Sequence, residues 1–324
     1  MPDLHTDQTP GGYPRLRFLV IGAGAMGMYF SARLVQAGHE VILKSRTDTD
    51  SSVDILLSTA GGEERISGIK VAGSLDGPVD VDAVLIATKA WQVREALADL
   101  QGRLRPATAI VTLQNGVDAP ETARSLFPAA PVIASTCVVI VKRTAPWSVQ
   151  LLGREAVLRA GLFDHVGADT GVIRNIVSAL DAGPVTAVMV EDVHRALWKK
   201  LALIASYGGV GAISGMPVGI TRSNDETFSM VRKAIIECAR VAHAEGINFT
   251  PADVDEVFAV YAETFDAETT SSMQRDLAAN LPSELADQNG AIVQRGRKRG
   301  VETPIHSFIL HSQLPRERAA RSRQ

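Results

Sequence analysis

The chain has 324 residues, a length that at roughly 150 residues per domain predicts two domains rather than one. Hydrophobic residues at 46% and charged residues at 21% describe a globular protein and exclude a disordered or collagen-like one. With 33 Lys and Arg against 36 Asp and Glu, the net charge of −3 offers no electrostatic footprint for DNA or RNA, so a charged ligand must be met locally.

Residues 1–14 carry Asp3 and Asp7 with no basic stretch before an apolar core, which reads as a flexible polar leader rather than a secretory signal. Leu16–Ile21 then predicts a strand, Gly22–Gly27 a glycine-rich turn, and the following small residues a helix to about Ala37, before a second strand at Val41–Leu43. Further on, Ala83–Ala87 predicts a strand, Trp91 to about Leu100 a helix, and Ala109–Leu113 another strand. Strands alternating with helices imply right-handed crossovers and a parallel sheet covered on both faces. From Pro131 to Ala160 the pattern becomes β-rich, with Val132–Ala134, Cys137–Val141 and two more short runs that extend the sheet, and Pro184–Met189 closes the series.

Helical periodicity follows in Val193–Ser206, Glu226–Glu245, Pro251–Phe265 and Glu284–Arg299, placing a domain boundary near Glu191. The expected division is a leader over 1–14, an α/β dinucleotide-binding domain over 15–190, a helical domain over 191–314 and a basic tail over 315–324. That tail holds Arg316, Arg318, Arg321 and Arg323 and is expected to fray into solvent. The uncharged stretch Leu201–Thr221 is long enough to cross a bilayer. Its glycines and Pro217 instead predict a helix end followed by turns, so no membrane partner is expected. The two cysteines, Cys137 and Cys238, are too few for a disulfide framework and lie in no zinc spacing, which fits a reducing cytoplasm. The seven histidines show no metal-ligand spacing either, and no metal is assigned.

The run Gly22-x-Gly24-x-x-Gly27 is informative because of its setting between a strand and a helix. There the glycines permit a tight turn and a close approach of backbone to pyrophosphate, and the helix start at Ala25 and Met26 supplies unpaired N–H donors. Where NAD enzymes place an acid at the end of the second strand, this chain has Lys44-Ser45-Arg46. Two cations around a hydroxyl suit a ribose 2′-phosphate, so NADP(H) is the expected cofactor. On the helix beginning at Val193, Lys199 belongs to a polar flank with Asp192 and Arg195, whereas Lys200 projects from the apolar stripe of Val193, Leu197 and Ile204. A lysine there must snorkel, pair with a carboxylate, or face a ligand cleft where partial burial would ready it to donate a proton. The wheel alone leaves those alternatives open.

Taken together, Gly22–Gly27, Lys89–Val93, Gln114–Gly116, Leu197–Leu201, Ser271–Met273, Ser283–Leu285 and Asn289–Gly290, in this order and spacing, resemble the ketopantoate reductases from about Arg17 to Ser312. The resemblance implies a Rossmann-type domain followed by an all-α domain of the 6-phosphogluconate-dehydrogenase-like kind. It also implies a small 2-oxo acid as substrate and the reduction of ketopantoate to (R)-pantoate toward pantothenate. Separately, the several amphipathic helices of the second half make a homodimer an expectation, through a face the sequence does not fix. Carried over residue by residue, the resemblance makes Lys200 the general acid and Glu284 its carboxylate partner. Ser272 would bind the substrate carboxylate, and Lys89 and Asn115 would line the nicotinamide and carbonyl site. The departures concentrate where substrate would sit. Ile204 and Gly208 stand where the family's pocket asparagines align, and Thr269 replaces a third. An apolar side chain cannot supply those hydrogen bonds, so a paralogue acting on another 2-oxo, imino or β-hydroxy acid is the alternative. A cofactor-binding sensor without chemistry is the alternative of another class. Trp91 and Trp198 read as packing residues and His194 as a surface residue.

Overall fold

The computed structural model describes residues 14–46, 51–164, 170–181 and 183–323, so the expected leader lies outside the described residues apart from Pro14. Two compact units are present, the first ending at Val193 and the second beginning at His194, with Asn115–Asp118 belonging to the second. No helix among the described residues is long and apolar enough to cross a membrane.

The first unit runs β1 (Arg17–Ile21), α1 (Ala25–Gln36), β2 (Glu40–Lys44), β3 (Ser51–Thr59), β4 (Gly62–Ala72), β5 (Ala83–Ile86), α2 (Val93–Ala98), β6 (Ala109–Thr112), α3 (Asp118–Leu126), β7 (Val132–Val138), β8 (Val141–Ala145), β9 (Ser148–Leu151), β10 (Val157–Leu162), α4 (Thr170–Leu180) and β11 (Thr186–Met189). All these strands form one sheet in the order β11-β10-β7-β6-β5-β1-β2-β4-β3-β9-β8. Its centre is parallel, with β1 paired to β2 on one side and to β5 on the other. The apolar runs are continuous because both faces are covered. Phe18, Val20, Leu85 and Val111 pack with α1 and α4 on one face, while Leu19, Ile21, Val84, Ile86 and Ile110 pack with α2 and α3 on the other. The antiparallel hairpin β3–β4 stands where no strand is predicted from the sequence, and it buries Ile55 and Leu57 on one strand and Ile66, Ile69 and Val71 on the other.

The second unit is helical: α5 (Val193–Ser214), α6 (Val218–Ser223), α7 (Asp225–Ala244), α8 (Pro251–Ala259), α9 (Ser272–Ala278), α10 (Ala291–Arg299) and α11 (Pro304–Arg321). Wider π-helical turns at Val260–Thr264 and Ala286–Gly290 follow α8 and precede α10. Capping follows local chemistry. Asn224 accepts from Thr227 N, Thr250 and Asp253 cap each other ahead of Pro251, and Ser271 accepts from Gln274 N.

Two expectations are corrected here. The stretch after Ser206 does not break into turns; α5 continues to Ser214 through Gly208, Gly209 and Gly211. These glycines serve close packing. A Cβ on Gly208 would stand 2.6 Å from Ser271 Oγ, one on Gly209 2.8 Å from Ile309 Cδ1, and one on Gly211 would overlap the Gln274 amide. The tertiary contacts that need a bare backbone outweigh the helix-propensity cost of glycine. The basic tail does not fray at Pro315 either, because α11 carries through it to Arg321. Glu317, on that last stretch, is buried and accepts from Ser283 N, Ser283 Oγ and Arg321 Nε.

Candidate functional site

In the first unit, the turn after β1 has the conformation its glycines require. Gly22 has φ +108, and its N–H donates to the Lys44 carbonyl at 3.0 Å, which fixes the loop against the end of β2. A Cβ on Gly27 would collide with the Gly22 carbonyl, whereas one on Gly24 would meet nothing within 4 Å. Gly27 therefore seats α1 on the loop, and Gly24 leaves its outer surface open. Gly24 is the N-cap of α1 and offers no capping side chain, and no acid lies in the first turn, so the N–H groups of Ala25 and Met26 start the helix without an anionic partner from it. An open backbone of this kind, at the crossover where β1 lies between β2 and β5, is chemically suited to a dinucleotide pyrophosphate.

The two cations after β2 differ in placement. Lys44 Nζ donates to the Gly73 carbonyl at 2.6 Å and to the Ser45 carbonyl at 3.2 Å, tying β2 to the chain beyond β4. Arg46 is exposed. At the end of β5, Lys89 precedes a single 3-10 turn over Ala90–Gln92, where its backbone N–H donates to Gln92 Oε1 and its ammonium lies 5.9 Å from the centre of the Trp91 ring.

In the second unit, Lys200, Ile204 and Gly208 are spaced four apart along one face of α5, with Lys200 half-buried and Ile204 buried. The face ends against Ser271, the cap of α9, and Ser272 is that helix's first residue. Lys199 is held elsewhere, by Asp253 at 2.9 Å and by Glu256. Burial alone would raise the Asp253 carboxyl, but hydrogen bonds from Arg195, Thr250 and Lys199 outweigh it and hold the group well below the usual carboxylate range. This anchors the outer flank of α5 and separates Lys199 from its neighbour.

Glu284 is 6% exposed and accepts from Gln288 Nε2 at 3.3 Å, one turn on. Next to Gln288, Asn289 is fully buried. Its Nδ2 donates to the Ala205 carbonyl of α5 at 3.0 Å and also meets His306 Nδ1, while His306 Nε2 faces the Ala234 carbonyl of α7 at 2.9 Å. The carbonyl must accept, so Nε2 carries the proton and Nδ1 receives one from Asn289. Asn115 is half-buried, and Gly116 has φ +113 with its Cα pressed on residue 287: a Cβ there would be 3.0 Å from the Asp287 carbonyl oxygen. Asp287 is a carboxylate that sequence reasoning missed. Its Oδ2 is buried with no hydrogen-bond partner among the described residues. Burial first, then the charges of Glu284 and Asp118, push its carboxyl up to about 6. Asn115, Lys200, Ile204, Gly208, Ser272 and Glu284 belong to the second unit, and the glycine turn, Lys44, Arg46 and Lys89 belong to the first. Among the described residues, no cluster of His, Cys, Asp or Glu has the arrangement of a metal site.

Comparison with known proteins follows the same division. The profile described as ketopantoate reductase PanE/ApbA matches residues 18–164, and the profile for the C-terminal part of that family matches residues 192–313. A 2-dehydropantoate 2-reductase from Caulobacter vibrioides is 30% identical over 295 residues, covering 90% of this chain and 96% of the relative. Among solved structures, a PanE/ApbA family ketopantoate reductase from Ralstonia eutropha JMP134 aligns with a TM-score of 0.81 at 28% identity, covering 94% of this chain and all of that one. A D-mandelate dehydrogenase solved with NADH and anilino(oxo)acetate aligns with a TM-score of 0.82 over 94% of this chain and all of that one. At 22% identity, that match speaks for the fold alone.

Proposed function

Because this chain belongs to the ketopantoate reductase family, we propose that it is an NADPH-dependent reductase of a small 2-oxo acid, with ketopantoate to (R)-pantoate, a pantothenate precursor step, as the named reaction. The observation that carries the reading is Lys200, half-buried on an otherwise apolar face of α5 that leads to Ser271 and Ser272. The backbone of Gly22–Gly27, with the N–H groups of Ala25 and Met26, would hold the pyrophosphate, and Arg46 would meet the 2′-phosphate, with Lys44 fixing the end of β2 beside it. When bound, NADPH supplies the hydride that reduces C2. Lys200 Nζ gives its proton to the C2 oxygen as the alkoxide develops, and Glu284 orients Lys200 and the substrate hydroxyls. Ser272 binds the substrate carboxylate, while Lys89 and Asn115 hold the carbonyl and the nicotinamide in register.

A second substrate within the same reaction is favoured by one feature. Ile204 is the side chain of the α5 face between Lys200 and Gly208, and Gly208 has no room for a polar replacement while Ser271 is in place. Such a face gives a substrate hydroxyl nothing to bond with, and a hydroxyl left unpaired on binding costs affinity. Steady-state NADPH oxidation with ketopantoate and with its deoxy analogue, 3,3-dimethyl-2-oxobutanoate, separates the readings. A kcat/KM at least about tenfold higher for ketopantoate supports the named reaction. A preference for the deoxy acid assigns the chain to another 2-oxo acid, and turnover of neither, across a panel of oxo acids, removes the reductase reading.

A further inference from the structure

Gln114 has no part in the chemistry described above, yet it is an unusually placed polar residue. It follows Ala109–Leu113, a stretch buried throughout, and is itself only 7% exposed. The β5–β6 ladder ends at the pair Ile86–Thr112, so its backbone hydrogen bonds do not extend to residues 87–89. The side chain takes over at that point. Gln114 Nε2 donates both its protons, to the Ile86 carbonyl at 2.9 Å and to the Thr88 carbonyl at 3.0 Å. Thr88 in turn supports the glycine turn: a Cβ on Gly22 would lie 3.0 Å from Thr88 Cγ2 and 3.2 Å from Thr88 N. Ala87 N also donates to the Ile21 carbonyl at 2.9 Å, and Lys89 is the next residue after Thr88.

One carboxamide therefore clamps the segment on which the glycine turn rests and from which Lys89 emerges. The same clamp holds two uncompensated atoms, Gln114 Oε1 and Thr88 Oγ1, both buried without a hydrogen-bond partner among the described residues. Buried polar atoms left unpaired are costly, and at Gln114 that cost is borne by the same side chain that satisfies the Ile86 and Thr88 carbonyls. The clamp lies at the carboxyl ends of β5 and β6, beside the turn read as the dinucleotide site, where parallel sheets bind ligands.

We propose that Gln114 is a positioning residue for the cofactor, acting through residues 87–89 to hold Thr88 against Gly22 and to set the direction of Lys89. The inference rests on the reading that the turn after β1 takes NADPH. Gln114→Met keeps the length and burial and removes both donors. In the full chain, this variant raises the NADPH dissociation constant, read by titration of cofactor fluorescence, by about tenfold or more. Combined with Lys89→Ala, the loss is smaller than the product of the two single losses, because both changes act on one segment. A folded Gln114→Met protein that binds NADPH within about twofold of the parent overturns the proposal. A measurement on the unaltered chain keeps it falsifiable should the variant not fold: NADPH must slow amide exchange across residues 87–89 along with that of the glycine turn. Protection confined to the turn contradicts the clamp, and a parent chain that does not bind NADPH at all overturns the cofactor reading beneath it.

Discussion

Lys199 and Lys200 are neighbours in sequence with different surroundings. Lys199 is pinned by Asp253 and Glu256, while Lys200 keeps the apolar face of α5. The helical period separates them by about 100°, which is why the wheel distinguishes them in advance. The wheel does not show which carboxylates take Lys199, because Asp253 and Glu256 come from α8, far along the chain. A comparable separation holds for the cations at the end of β2. Residue types alone make Lys44 and Arg46 equivalent candidates, yet Lys44 spends its ammonium on the Gly73 and Ser45 carbonyls and Arg46 remains exposed. Arg46→Ala is expected to weaken NADPH binding by about tenfold and leave NADH binding unchanged, as removal of one phosphate contact requires. Lys44→Ala is expected to reduce thermal stability more than it reduces the NADPH/NADH ratio of affinities. Titrations of both cofactors against both variants check the pair.

At the scale of elements, the parallel centre of the sheet and the strand–turn–helix around Gly22 are legible because short apolar runs and a glycine motif are local signals. The hairpin β3–β4 is weaker in sequence, since its strands carry Ser, Asp, Glu and Lys on the exposed side and show only alternation. The course of α5 past Ser206 is not legible, because the reason for its glycines lies in partners from other helices: Ser271, Gln274 and Ile309. The same holds for α11, whose Arg-rich end is ordered by Glu317 and its bonds to Ser283 and Arg321. Gly211→Ala tests the packing account of α5. Helix propensity alone predicts stabilisation by about 1 kcal/mol, whereas displacing the buried Gln274 amide from its bond to the Met216 carbonyl predicts a net loss of about 1–3 kcal/mol. Urea unfolding decides between the signs, and the packing account requires the loss.

At the scale of the molecule, the change to helical periodicity near Glu191 lies close to where the compact units part, between Val193 and His194, but no local signal shows that Asn115–Asp118, embedded in the first half, belongs with the helices. That assignment follows from three-dimensional partners: Gly116 lies on Asp287, and Arg295 pairs with Asp118. Within the helical unit, the chain Ala234–His306–Asn289–Ala205 links α7, α11, the turn after Glu284 and α5 through a fully buried imidazole. Burial lowers His306 to about 4. Its folded value lies below the unfolded value of about 6.5, so the neutral ring's contribution is complete above that pH. It is lost as pH falls from about 6.5 toward 4, at a cost approaching 2–3 kcal/mol. Denaturant unfolding of the parent at pH 7.5 and pH 4.5 is expected to show that loss, and His306→Gln, which cannot charge, is expected to flatten the part of the slope due to this ring.

In the proposed NADPH-dependent reduction Lys200 supplies the proton, and pairing turnover with binding in one variant tests it. In Lys200→Ala, the NADPH dissociation constant should stay within about threefold of the parent, while kcat on whichever 2-oxo acid the parent reduces best falls by about 10²–10⁴. A Lys200→Ala protein that keeps its kcat within about threefold of the parent would contradict the account.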